Sequence, residues 1–157
     1  MKILAIRIKN LASLEGFSEI DFTSEPLCTA SIFAITGPTG AGKSTILDAL
    51  CLALYAQTPR YNKTTNPTLS VQDKSGSTIT QGDPKNILRD GVYEGYAEVD
   101  FVGVDGYRYR AKWSVRRARN KAEGALQPDQ MTCVNLDTKE DIPVSYTHLT
   151  LPTTERV

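Results

Sequence analysis

The chain has 157 residues, 40% of them apolar, with eighteen basic and eighteen acidic side chains and a formal net charge of zero. That length suits one domain or part of one, and the even balance excludes global charge as a guide to any partner. No apolar run approaches the ~18 residues of a helical membrane span, and the first residues lack the apolar core of a signal peptide. Three widely spaced cysteines, Cys28, Cys51 and Cys133, form no C-x-x-C pair. Neither a disulfide framework nor a zinc site is indicated, which fits thiols in a reducing cytoplasm.

Residues 2–9 alternate, with Leu4, Ile6 and Ile8 on one face and Arg7 and Lys9 on the other. This pattern predicts a half-buried strand. Asn10 to Gly16 reads as a turn. Phe17 to Phe22 alternates again, with Ile20 and Phe22 inward, so a hairpin precedes the next element. Ile32 to Ile35 is an apolar run expected to form a buried strand. Gly37 to Gly42 is a glycine-rich turn, and Lys43 to Tyr55 is a helix with almost no polar face, expected to be buried on most sides.

Residues 57–84 are rich in Pro, Gly, Ser, Thr and Asn and carry no apolar period, the signature of a long surface loop. Asn86 to Asp90 suggests a short helical turn. Tyr93 to Val104 and Tyr107 to Val115 alternate as strands around an Asp105-Gly106 turn. Residues 129–137 read as a further strand and 139–141 as a turn. The native pattern is expected to end near Ile142. Residues 143–157, which contain the sole histidine, His148, resemble translated adapter sequence rather than protein, the alternative being a real strand over 145–151.

The chemistry concentrates in Gly37, Pro38, Thr39, Gly40, Ala41, Gly42, Lys43, Ser44 and Thr45, which fill the spacing G-x-x-x-x-G-K-S. Glycines let successive backbone N–H groups converge on one anion, and a helix N-terminus adds positive potential. Lys43 supplies a mobile point charge for the terminal phosphates, and Ser44 a hydroxyl for Mg²⁺. The pattern therefore predicts nucleoside triphosphate binding. Asp48, the helix's sole acid, either touches the metal shell or supports the helix N-terminus.

From Arg108 to Lys121 there are seven basic residues and no acid. Arg116, Arg117 and Arg119 are candidates for contact with a DNA backbone, against the plainer reading of a solvated edge. On the alternation, Tyr107, Tyr109, Ala111 and Trp113 share one face, so these aromatics belong to the core.

The segments KILAIRIKNLASLEGFSEIDF and FAITGPTGAGKSTILDALCLALYAQTPR, followed by AEVDF and the stretch from Tyr109 to Asn120, resemble the N-terminal part of the SbcC family. SbcC is the ATPase subunit of the bacterial SbcCD nuclease, in the SMC-like branch of ABC ATPases. The resemblance implies an α/β P-loop NTPase fold: the N-terminal lobe of an ABC-type ATPase head, over residues 1–142, with an added antiparallel β-hairpin layer. It implies ATP and Mg²⁺ as cofactors. It also implies an SbcD-type nuclease subunit, double-stranded DNA and a second ATPase head as partners, in DNA repair and recombination. Thr45 is then expected near the α-phosphate. Arg60 and Arg89 become possible nucleotide, DNA or dimer contacts, with a solvated arginine and a local salt bridge as the plainer readings.

A chromosome-organising SMC-like ATPase without a nuclease is the alternative. Three parts that such an ATPase needs for hydrolysis are not found here: a Q-loop glutamine, a signature loop and an apolar strand ending Asp-Glu. No catalytic residue is assigned. Ala12 stands where many relatives carry a basic residue in the loop after the first strand.

Overall fold

The computed structural model describes residues 1–62 and 69–144. The expectations for residues 63–68, for the 145–151 strand and for His148 lie outside the described residues. Two long strands, β1 (Lys2–Leu11) and β2 (Leu14–Asp21), open the chain as an antiparallel hairpin. Helix α1 (Lys43–Tyr55) and one short turn of helix, α2 (Pro59–Asn62), follow. A small hairpin, β3 (Ser70–Gln72) and β4 (Thr78–Thr80), comes next. After a 3-10 turn over Pro84–Ile87, β5 (Glu94–Val102) and β6 (Arg108–Arg116) form the second long hairpin. β7 (Gln130–Asn135) and β8 (Asp141–Ile142) complete a six-stranded sheet in the order β2-β1-β5-β6-β7-β8. Every described pair in it is antiparallel.

Alternation decides the faces of this sheet. On β6, Tyr109, Ala111, Trp113 and Val115 are buried, as the pattern predicts, while Arg110 and Lys112 lie on the opposite face. Tyr107, expected with the inward set, precedes β6 and stands exposed, because it belongs to the turn rather than to the strand. Helix α1 covers the apolar face with Ala49, Leu52 and Ala53, packed against Ile6, Ile8 and Val99. The Trp113 indole N–H donates to Asp129 at 2.7 Å, which satisfies the buried ring's polar atom.

The other face is a ladder of opposite charges. The register sets Glu19 beside Arg7, Arg7 beside Glu98 and Glu98 beside Lys112, so signs alternate across four strands. Arg7 reaches Glu19 at 2.7 Å, Glu98 at 3.0 Å and Asp100 at 2.9 Å, and Arg110 closes on Asp100 at 2.7 Å. Burial works against ionisation of Asp100, yet hydrogen bonds from Arg110 and Arg7 hold its carboxyl below the usual range.

Four further sequence expectations need correction. The turn predicted over 10–16 shrinks to Ala12 and Ser13, because Asn10 and Leu11 still belong to β1 and Leu14 already to β2. Asn10 makes this possible with a left-handed φ of 53° and a side chain that accepts from the Gly16 N–H and donates to the Glu94 carbonyl. The loop predicted over 57–84 contains α2 and the β3–β4 hairpin.

Helix α1 is buried on one side only. Leu47 and Tyr55 stand exposed on the face turned away from the sheet, with Cys51 half-buried between them. Finally, Ile32–Ile35 forms no strand, and Ile32 is 90% exposed. A strand exists only through hydrogen-bonded neighbours, and in the observed sheet order none lies beside this segment.

Candidate functional site

The turn from Gly37 leads directly into α1. Gly42 is the helix N-cap in a left-handed conformation, φ 91°, and Gly40 has φ 84°. Glycine adopts both without the steric penalty other residues meet. Gly42 is also a point of close approach: a Cβ there would sit 2.5 Å from Leu14 Cδ2 and 3.2 Å from Ser13 Oγ. The β1–β2 turn thus rests against the last residue of the loop.

No side chain caps the N-terminus of α1, and its first turn carries no acid. The first N–H groups of a helix have no partner within it, so these donors suit an anion. The Lys43 ammonium donates to the carbonyls of Gly37 at 2.6 Å and Pro38 at 2.7 Å, holding the turn closed on itself.

Ala12, Ser13, Thr39, Gly40, Lys43 and Arg60 are among the residues around a cleft of about 550 Å³ at this point, with Ser44 and Thr45. That is spacious enough for the phosphates of a nucleotide. Among the described residues no carboxylate lines it. Among the described residues no group of three or more His, Cys, Asp or Glu side chains could hold a metal alone. Such a donor set fits Mg²⁺ arriving on phosphate oxygens with its waters, with the Ser44 hydroxyl as one added ligand.

Residues 5–147 match the family described as AAA domain. The chain belongs to that family. The SbcC subunit of the nuclease SbcCD from Pseudomonas aeruginosa is 59% identical over 140 residues, covering 89% of this chain and 11% of that protein. The protein of the same name from Rhodobacter capsulatus is 52% identical over 127 residues, covering 81% and 10%. The DNA double-strand break repair Rad50 ATPase of Methanopyrus kandleri is 29% identical over 123 residues, covering 78% and 10%. The chain therefore spans about a tenth of the length of these relatives. These matches bear out the resemblance to SbcC drawn from the motifs.

Within this AAA domain, Asp48 is a buried residue of α1. It accepts from the Thr58 hydroxyl and from two nitrogens of Arg60, so it anchors the chain that leaves α1. Arg60 is consequently not a freely solvated loop arginine. It is held at the cleft by Asp48, whose carboxylate raises the guanidinium's already high pKa. Arg89 makes the local salt bridge of the plainer reading, to Glu15 at 3.2 Å, and donates to the Ala12 carbonyl as well.

The basic run divides in the folded chain. Arg108 pairs with Asp137, Arg110 with Asp100 and Lys112 with Glu98, which neutralises much of the field expected from sequence. Arg117 is 5% exposed and donates to Asp73 at 2.7 Å and 3.0 Å and to the Gly124 carbonyl at 3.0 Å. Its charge is spent inside the fold, so it leaves the group presented to solvent. Arg116 and Arg119 remain exposed. Parity gave the signal for Arg117: it continues the inward series 109, 111, 113, 115.

Proposed function

We propose that residues 1–142 form the N-terminal lobe of an SbcC-like ATPase head, with an added β-hairpin layer, that binds ATP with Mg²⁺ through Gly37 to Thr45. The observation that carries this reading is the uncapped N-terminus of α1, framed by left-handed Gly40 and Gly42 and opening on the cleft beside Lys43. The backbone N–H groups there would hold the phosphates. Lys43 would transfer its ammonium from the Gly37 and Pro38 carbonyls to phosphate oxygens, which loosens the turn as the anion enters. Thr45 would stand near the α-phosphate and Ser44 would ligate Mg²⁺, whose positive charge offsets the phosphate charge when bound.

The named relatives extend the proposal to a partner set: an SbcD-type nuclease subunit, double-stranded DNA and a second head, acting in cytoplasmic DNA repair. Two of them are named as nuclease subunits and the third as a DNA double-strand break repair ATPase, which favours this over an SMC-like clamp without a nuclease. Arg116 and Arg119 are the proposed DNA-backbone contacts.

Binding without turnover is the expected behaviour of this chain, because among the described residues no carboxylate lines the cleft to polarise water. A fluorescent ATP analogue titrated with Mg²⁺ should bind the full chain weakly and should not bind Lys43→Ala. Equal affinity in the variant refutes the site, and Mg-ATP hydrolysis that disappears in Lys43→Ala refutes the expected lack of turnover.

A further inference from the structure

We infer that Arg89 is a positioning residue for the phosphate turn, acting through the β1–β2 turn rather than on the nucleotide. The inference rests on the nucleotide-binding reading above. It starts from the segment Asp83 to Arg89. Asp83 caps the 3-10 turn by accepting from the Lys85 N–H, and Ile87 and Leu88 are buried in the core. Arg89 therefore projects from a fixed base. Gly95 lets that base come close: a Cβ there would lie 2.8 Å from Leu88 Cδ1 and 2.9 Å from the Lys9 carbonyl oxygen.

This base is stitched to the end of β1. Leu88 bridges Leu11, the Ala12 N–H donates to the Ile87 carbonyl at 2.8 Å, and the Arg89 N–H donates to the Asn10 carbonyl at 3.0 Å. The Arg89 side chain then crosses the turn, donating from Nη1 to the Ala12 carbonyl at 3.1 Å and from Nη2 to Glu15 at 3.2 Å. Both backbone polar groups of Ala12 are thus held by residues 87–89.

The turn needs this hold. Asn10 and Ala12 have φ of 53° and 47°, a left-handed conformation that asparagine tolerates and that is strained for alanine. What the turn in its place does is shape the cleft. Ser13 and Leu14 abut Gly42, the residue before Lys43, and Ala12 and Ser13 form one wall of the cleft. Arg89 itself does not line the cleft. The sequence of contacts runs from Arg89 to the Ala12 carbonyl, from the turn to Gly42, and from Gly42 to the first N–H groups of α1. Glu15 is 78% exposed, so its ion pair is screened and the carbonyl contact carries the effect.

Three variants of the full chain test this: Arg89→Ala, Arg89→Lys and Glu15→Ala. In nucleotide-free protein, Arg89→Ala should speed amide exchange at residues 12–14 and 40–45 while leaving 97–101 and 109–113 protected. Its Mg-ATP affinity should fall roughly ten-fold, the scale of one lost charge-assisted hydrogen bond. Arg89→Lys keeps one donor within reach of the carbonyl and should recover part of both effects, and Glu15→Ala should match the wild type. Unchanged exchange and affinity in Arg89→Ala overturn the inference. So does a uniform loss of protection across β5 and β6, which marks a general structural role. A wild-type chain that fails to bind Mg-ATP refutes the nucleotide reading, while the exchange comparison still decides whether Arg89 holds the turn.

Discussion

Replacing Asp73 with asparagine tests whether the Arg117–Asp73 pair holds the small β3–β4 hairpin to the main sheet. The two side chains are 5% and 9% exposed, with a two-point contact at 2.7 and 3.0 Å. The substituted amide would keep the shape and remove the charge, leaving the buried Arg117 guanidinium with neutral acceptors alone, the amide oxygen and the Gly124 carbonyl, and setting the amide NH2 against one of its donors. Breaking one side of a buried pair costs ~3–5 kcal/mol. A second route gives a smaller figure. The hydrogen bonds from Arg117, assisted by Lys74 N–H and Ser75, hold the Asp73 carboxyl at about 2 instead of the ordinary 3.8. At ~1.4 kcal/mol per pH unit, that is roughly 2.5 kcal/mol. We expect ~2–4 kcal/mol.

The loss has a ceiling. If the hairpin peels away, Arg117 regains water, and two strands of three residues each have little stability of their own. The variant should therefore show fast amide exchange and protease cleavage within residues 69–81, with the six-stranded sheet still protected. The pH dependence follows from the sign of the shift. A carboxyl held low in the folded state contributes stability that is present above the unfolded value of about 4 and is lost as pH falls through about 2. Wild-type stability should therefore fall more steeply than that of Asp73→Asn over this window in urea titrations. Wild-type exchange at 69–81 in the variant, together with a stability change under ~0.5 kcal/mol, would falsify the pairing argument.

Gly42→Ala should destabilise the chain by ~2–3 kcal/mol, from the left-handed backbone and the displacement of Leu14. Gly106→Ala, with φ 85° and no atom near the added Cβ, should cost ~1–2 kcal/mol from the backbone alone. Equal costs in urea denaturation would show that the Leu14 contact is slack. For DNA, Arg116→Glu combined with Arg119→Glu in an intact head should weaken duplex binding and flatten its salt dependence by about two phosphate contacts. Unchanged affinity at low salt removes these two residues from the interface.

How legible each element is in the sequence follows the range of the interaction behind it. Helix α1 is expected over Lys43–Tyr55 and spans those residues, because glycine punctuation before it and a run free of Gly and Pro act locally. β5 and β6 fall within one or two residues of their expected bounds, since period-two alternation around Asp105-Gly106 is also local. β3 and β4 are hidden because three residues show no period, although Asp73-Lys74-Ser75-Gly76 carries a turn signal. The Ile32–Ile35 run has the composition of a buried strand and lies exposed outside any sheet. Composition states a preference for pairing and cannot supply the partner.

The sequence by itself determined the glycine-rich turn that leads into α1, since Gly37, Gly40 and Gly42 act within a few residues and through backbone geometry that glycine permits. It also determined which faces of the long strands turn inward. Only the tertiary structure decided which charges are available for function. Arg117, Arg110 and Arg60 look alike in a basic or polar stretch, yet Asp73, Asp100 and Asp48 claim them from 44, 10 and 12 residues away. It likewise placed Arg89 beside a turn 77 residues earlier in the chain, where its donor reaches Ala12. Pairing of charge depends on distances across the sheet, and no local pattern records them.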